Sequence, residues 1–381
     1  MIASVANLHS IETPALLLDR ARMERNILRM QSQVDALGCR LRPHVKTSKS
    51  WPVVQAQRAA GAASITVSTL KEAEQFFAQG ERDILYAVAL APNKIAHALD
   101  LRARGCDLAV IVDSVASARA IAAACIAAAT SLPTLVEIDS DGHRSGVRPG
   151  DPMLIDIGRV LHSARSLAGV MTHAGGSYDL DTPAALQAMA AQERDAVVAC
   201  AAALRAAGLP CEQVSVGSTP TALSATGLAG VTEVRAGVYV FFDLVMAGIG
   251  VCGEQDIALS VLTSVIGHQP AKGWIIVDAG WMAMSRDRGT AKQTVDHGYG
   301  AVCDIDGTPM PDLWMGAANQ EHGIVSMRDG SCPDDLVERF PIGMLLRVLP
   351  NHACATAAQY DTYRVVDGGT IVDAWPRFSG W

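Results

Sequence analysis

The chain alternates apolar, β-branched runs with alanine-rich amphipathic stretches. Apolar runs fall near 40–46, 64–67, 83–90, 108–112, 134–139, 168–173, 213–217 and 233–236. Helical periodicity fills most of the gaps, over Thr69–Gln79, Ser114–Ala129 and Thr182–Ala207. Ahead of the first run, Met23, Ile27, Met30, Val34 and Leu37 line one helical face, and Gly38 stops it. Continuous apolar strands alternating with helices predict a parallel sheet covered by helices. Eight such strands predict a closed (β/α)₈ TIM barrel. A doubly wound open sheet fits if one strand has been merged or missed.

After about Gly248 the pattern changes. Strand-like runs at Ile257–Ile266, Trp274–Val277, Leu345–Leu349, Tyr363–Val366 and Thr370–Ala374 are separated by Gly, Pro and Asp turns, with little helix. This predicts a smaller, mainly antiparallel β domain. The early run Ala15–Leu18 lies outside the eight-strand count and is assigned to it. The expected division is therefore a barrel over 23–247, with 1–22 and 248–381 forming the β domain.

Composition narrows the function classes. Half of the 381 residues are hydrophobic and 18% are charged, which suits a folded enzyme rather than a disordered chain. A net charge of −8 gives no electrostatic reason to expect nucleic acid. No apolar run approaches the roughly 20 residues that span a bilayer. The N-terminal stretch lacks the basic start and apolar core of a signal peptide. The nine cysteines are scattered without a CxxC pair and read as reduced thiols, so a cytoplasmic protein is expected.

In a barrel, chemistry collects at the C-terminal strand ends. The first of these carries Lys46, in Leu41-Arg-Pro-His-Val-Lys-Thr-Ser-Lys49. A lysine buried at a strand end has a lowered pKa and a nucleophilic amine, able to form a Schiff base with a carbonyl cofactor. A lysine that has just cleared the strand and reaches solvent fits the same residues. Arg144 follows the fifth strand and suits a substrate carboxylate, a ring nitrogen or an ordinary loop. Tyr178, after the sixth, suits stacking or space filling. Gly217-Ser218-Thr219 and Gly237-Val238 end the last two strands, where barrels often bind phosphate. Separately each also fits an ordinary turn; together they favour phosphate. His352 and Cys354 are two apart on a segment expected to be extended, which would put them on one side as an imidazole–thiolate metal pair. A buried cysteine beside a capping histidine fits as well. Asn319-Gln-Glu-His322 is a similar polar cluster, or a solvated turn.

The motifs Pro-His-Val-Lys46-Thr-Ser-Lys, Asp-Gly-His-Arg144-Ser-Gly-Val, His-Ala-Gly-Gly-Ser-Tyr178-Asp, Gly-Ser218-Thr219-Pro-Thr, Arg-Ala-Gly237-Val238-Tyr-Val-Phe-Phe-Asp, Asn-Gln-Glu-His322-Gly and Pro-Asn-His352-Ala-Cys354-Ala-Thr occur in one order. In that order and spacing they resemble the fold-type III pyridoxal-phosphate enzymes of the D-threonine aldolase and D-serine dehydratase family, over nearly the whole chain. The resemblance implies an alanine-racemase-like barrel and a homodimer. It implies Lys46 as the Schiff-base lysine and Arg144 opposite the pyridine nitrogen. Tyr178, Ser218, Thr219, Gly237 and Val238 would bind cofactor, and His352 and Cys354 a divalent metal, Zn²⁺ first and Mg²⁺ or Mn²⁺ otherwise. Aldolases of the family carry His-x-Asp where this chain has His-x-Cys, so the resemblance favours a dehydratase. The resemblance implies a D-3-hydroxy amino acid as substrate, with 3-hydroxyaspartate expected to go to oxaloacetate and ammonia. A retro-aldol enzyme or a non-catalytic cofactor carrier are the alternatives. The eukaryotic D-serine dehydratases have a tyrosine where this chain has Met171, a departure that argues against simple D-serine specificity. Arg286 and Arg288 are the candidates for holding a second substrate carboxylate.

Overall fold

The structure is a computed structural model that describes residues 6–381. Residues 1–5, part of the N-terminal stretch noted above, lie outside the described residues. The chain divides into two compact units. One comprises Ile27–Gly237 with Gly380–Trp381; the other comprises residues up to Asn26 with Val238–Ser379.

The first unit holds an all-parallel eight-stranded sheet. Its order is Arg40–Leu41, Glu233–Val234, Gln213–Val216, Leu167–Thr172, Thr134–Ile138, Asp107–Val112, Asp83–Ala89, Ile65–Val67. The two ends meet where His44 bridges Thr66 in parallel, with Val45 N–H donating to the Thr66 carbonyl at 2.9 Å, so the sheet closes into the expected barrel. The last strand is seated between the first and the seventh. Helices Leu70–Ala78, Val115–Ala127 and Pro183–Ala206 follow the predicted periodicity. Each starts at a Ser or Thr whose side chain accepts an N–H from the first turn: Thr69, Ser114 and Thr182.

Leu85, Ile111, Leu135 and Met171, from four successive strands, form one apolar layer in this unit. Each such side chain contributes roughly 1.5–3 kcal/mol by leaving water. Met171 is fully buried in that layer, so its side chain packs the core rather than facing the strand-end rim. Strand contact leaves no room for a side chain at Gly217, whose φ is +153°. A Cβ there would stand 1.7 Å from the Arg235 carbonyl oxygen.

The second unit is mainly antiparallel. Leu259–Gln269, Trp274–Val277, Gly323–Met327, Pro309–Ala318, Gly300–Cys303 and Leu345–Pro350 pair in that order, and the last pairs back to the first to close a six-stranded barrel. Ala15–Asp19 joins this sheet beside Leu259–Gln269, and pairs in parallel with Thr362–Asp367. Three of these strands carry no clear signal in the sequence. Pro309–Ala318 holds two prolines and an exposed face, a composition that argues against a strand. Gly300–Cys303 and Gly323–Met327 are too short for an alternation to show. Among the described residues, no helix is long and apolar enough to cross a membrane.

Candidate active site

The strand-end reading of Lys46 needs one correction. The strand ends at Leu41, and after the bridge at His44 the chain turns over Val45–Ser48. Lys46 lies in that turn with its side chain exposed, so the expected burial does not hold. Its amine makes no hydrogen bond or ion pair among the described residues. Lys49, three residues on, is committed: its Nζ lies 3.0 Å from the Glu72 carboxylate. What surrounds Lys46 is positive charge. His44 sits among Lys46, Arg235, His173 and Arg144. Burial first, and then these basic neighbours, Lys46 foremost, hold its pKa well below the ordinary value. Its Nδ1 is buried and meets no partner. Four basic side chains around an orphaned imidazole nitrogen suit an anionic ligand carrying a hydrogen-bonding ring.

Arg144 donates from Nη2 to Glu137 at 3.1 Å while its side chain stays 47% exposed. The Ser145 hydroxyl donates to the other Glu137 oxygen at 3.4 Å. Burial raises the Glu137 pKa, against the pull of Arg144. Arg235 was missed as a site residue, although it lies within the eighth apolar run. Its buried guanidinium donates to the Ser215 hydroxyl at 2.8 Å and to the Thr172 carbonyl. Burial lowers its pKa to about 10.

The turns beyond the fifth, sixth and seventh strands are tied together. Gly176 N–H donates to Asp141 at 2.8 Å, and the Ser177 and Ser218 hydroxyls lie 3.0 Å apart. Tyr178 stands in the segment Gly175–Asp179, its ring centroid 6.2 Å from that of His173. Ser218 and Thr219 open the next turn, with the Ser218 hydroxyl accepting from Thr221 N–H. A Cβ on Gly237 would meet the His44 carbonyl oxygen at 2.9 Å and the Thr47 hydroxyl at 3.2 Å, so the backbone there approaches closely because the residue is glycine. Val238 opens the following 3₁₀ turn, in the second unit. The orphaned His44 nitrogen, the cation cluster, the close approach at Gly237 and the uncommitted Lys46 amine fit pyridoxal phosphate.

His173 Nδ1 lies 2.5 Å from the Gly217 carbonyl oxygen, which makes it the donor of a neutral ring. Burial, then the Arg144 charge, lower its pKa to about 3. An unfolded histidine takes its proton near pH ~6.5. Between those values the unfolded chain binds more protons than the native one, so this contribution to stability is full above pH ~6.5 and is lost as pH falls towards 3. The thermal midpoint should therefore drop between pH 7 and 4.5. His173→Asn, which keeps a donor but no titrating ring, should flatten that slope; an unchanged slope in the variant would exclude His173 as its source.

In the second unit, His352 is the residue that starts the short helix Ala353–Ala357, and Cys354 lies within the helix. The pair is thus on a helix start rather than on the extended segment expected from the spacing. Their side chains nevertheless meet in a hydrogen bond. His352 Nδ1 lies 2.7 Å from Asp287. Burial opposes the imidazolium, but the Asp287 and Cys354 contacts outweigh it and raise the His352 pKa to about 11. The same hydrogen bond lowers the Asp287 pKa against its burial. Asp243, fully buried, fixes the helix start by accepting N–H groups from Ala353 and Met246 at 2.9 and 3.0 Å. Asn351 braces the other side, donating to the Gly298 and Asp287 carbonyls.

An imidazole and a thiol in contact, with the His352 side chain 43% exposed and its far nitrogen aimed by a carboxylate, fit a divalent metal that keeps open positions. Among the described residues, no group of three or more His, Cys, Asp and Glu side chains is arranged to hold one. Asp287 was missed because it stands 65 residues from His352 in the sequence, between the two arginines that drew attention. Those arginines are engaged locally: Arg288 pairs with Asp296 at 2.9 Å, and Arg286 covers the Trp281 ring at 4.6 Å. Asn319 and His322 close the hairpin before Gly323, so that cluster is a turn.

Two family models match the chain: the alanine racemase N-terminal domain over residues 18–245, and a putative serine dehydratase domain over 258–366. A D-threo-3-hydroxyaspartate dehydratase of Delftia sp. (strain HT23) is 62% identical over 98% of each chain. A 3-hydroxy-D-aspartate aldolase of Paracoccus denitrificans (strain Pd 1222) is 31% identical over 96% of this chain and 91% of that one. A solved structure of a D-threo-3-hydroxyaspartate dehydratase, a cysteine-to-alanine variant in the metal-free form, superposes with a TM-score of 0.98 at 62% identity. It covers 99% of this chain and all of that one. The chain therefore belongs to the family of lyases that joins an alanine racemase N-terminal domain to a serine dehydratase domain and includes the D-threo-3-hydroxyaspartate dehydratases.

Proposed function

We propose that the chain is a carbon–oxygen lyase that converts D-threo-3-hydroxyaspartate into oxaloacetate and ammonia, using pyridoxal phosphate and a divalent metal. The observation that carries the reading is the 62% identity over 98% of both chains to a dehydratase of that substrate. The side chains support it, residue by residue. Lys46 would hold the cofactor through its amine, and its Nζ would take the α-proton once freed. Arg144, tied to Glu137, would face the pyridine nitrogen. Tyr178, Ser218, Thr219, Gly237 and Val238 would line the rest of the cofactor. Bound pyridoxal phosphate supplies an electron sink for the charge left at Cα.

His352 and Cys354 would hold the metal, and Asp287 would orient the imidazole. A bound divalent ion supplies Lewis acidity to the β-hydroxyl, a poor leaving group otherwise. The thiol donor favours Zn²⁺, with Mg²⁺ or Mn²⁺ as the harder alternatives. Loss of water gives an enamine of the substrate skeleton, and its hydrolysis returns that water and releases ammonia. The same reading makes the enzyme a cytoplasmic homodimer.

Product analysis tests it. Purified protein given D-threo-3-hydroxyaspartate should form oxaloacetate and ammonia in equal amounts. Glycine and glyoxylate would mean a retro-aldol enzyme on the same scaffold, and no turnover on any D-3-hydroxy amino acid would leave a cofactor carrier.

A further inference from the structure

Glu193 belongs to no motif noted in the sequence. It lies in the middle of helix Pro183–Ala206 and is 2% exposed. Among the described residues no cation pairs with it directly, although Arg235 acts on it electrostatically. A buried carboxylate without an ion pair is costly and persists only when hydrogen bonds satisfy it. Here three do. One oxygen accepts Ala174 N–H at 2.9 Å and Gly217 N–H at 3.1 Å; the other accepts the Thr221 hydroxyl at 2.7 Å. These donors come from the two turns that carry Tyr178 on one side and Ser218 and Thr219 on the other. The Thr221 hydroxyl in turn lies 2.9 Å from that of Ser218.

We propose that Glu193 is a positioning residue for phosphate binding: its carboxylate joins the Ala174 turn to the Gly217–Thr221 turn and sets the latter in place before the cofactor arrives. This rests on the pyridoxal-phosphate reading above. Two consequences are specific. The Gly217 N–H is spent on Glu193 and is not a phosphate donor, so affinity for the anion falls to Ser218, Thr219 and Gly237. Loss of Glu193 acts on the phosphate end of the ligand rather than on Lys46.

The test compares two ligands that differ only in the phosphate. Holoenzyme is dialysed free of cofactor, and the dissociation constants of pyridoxal phosphate and of pyridoxal are read by absorbance as each is added back. In Glu193→Ala the preference for the phosphorylated ligand should fall about tenfold, the scale of one lost hydrogen bond to a charged group. Glu193→Gln, which can still accept both N–H groups and donate to Thr221, should stay within about threefold of the parent. A folded Glu193→Ala with an unchanged preference overturns the proposal. So does a glutamine variant as damaged as the alanine one, since negative charge rather than geometry would then matter. If Glu193→Ala does not fold, Thr221→Val replaces it; that variant should lose about threefold, and no loss overturns the proposal. A parent protein that does not prefer pyridoxal phosphate to pyridoxal overturns the cofactor reading and this inference with it, a result distinct from the others.

Discussion

Replacing Lys46 with alanine should remove the visible absorbance of the cofactor-loaded enzyme and lower kcat/KM by on the order of 10³-fold or more, because on the proposed reading one side chain would serve two purposes. The first is attachment: the Lys46 amine is exposed and uncommitted, whereas Lys49 nearby is tied to Glu72. The second would be proton transfer at Cα. Lys46→Arg should fail almost as badly, since a guanidinium keeps its proton and forms no stable imine. Lys49→Ala, by contrast, should keep the absorbance, which guards against reading a general loss of positive charge as loss of the amine. An intact visible band in Lys46→Ala would end the Schiff-base assignment.

Replacing Cys354 with alanine, or exhaustive chelation, should lower elimination by on the order of 10²–10³-fold while the cofactor absorbance stays. The reasoning lies in the leaving group. Expelling hydroxide unaided is unfavourable, and a Lewis acid contributes several kcal/mol at that step. Because His352 and Cys354 are in the second unit and Lys46 in the first, the two losses should separate cleanly: cofactor binding follows Lys46, elimination follows Cys354. Adding Zn²⁺ or Mn²⁺ back should restore the chelated parent but not the alanine variant. Asp287→Asn should act in the same direction and more weakly, about 10–100-fold in metal affinity, the range for a group that orients a ligand. Full activity after complete chelation would remove the metal from the reaction.

How far this was legible in the sequence depends on the range of the signal. Strand–helix alternation is a local pattern, and it led to the eight barrel strands because each run is short, apolar and bounded. The proximity of His352 and Cys354 was legible for the same reason, although the helix start that brings them together was not. The missed residues act at a distance. Asp287 reaches His352 across 65 positions, and Glu193 reaches Gly217 across 24 from the middle of a helix, where a glutamate ordinarily reads as solvent-facing. Exposure was misjudged at Lys46 because the bridge at His44 ends the ladder early and the backbone turns before the lysine. Pro309–Ala318 was missed because its pairing partners, not its composition, make it a strand.

The closure of the parallel barrel bears on how the chain is made. Its first strand, Arg40–Leu41, pairs with Glu233–Val234, the last to emerge from the ribosome. Until then the flank of Arg40–Leu41 and that of Gln213–Val216 both present unpaired backbone. Open strand edges template association with other chains, and long-range closure is slow. Buried Arg42, just past the first strand, and Glu233, on the last, are joined by a hydrogen bond of 2.8 Å across that seam and place opposite charges at the two edges that must find each other. During synthesis such charges discourage each flank from pairing with an apolar strand of another chain. Arg42 also pairs with Asp83, made earlier, so it is Glu233 that gains its buried cation when the barrel closes.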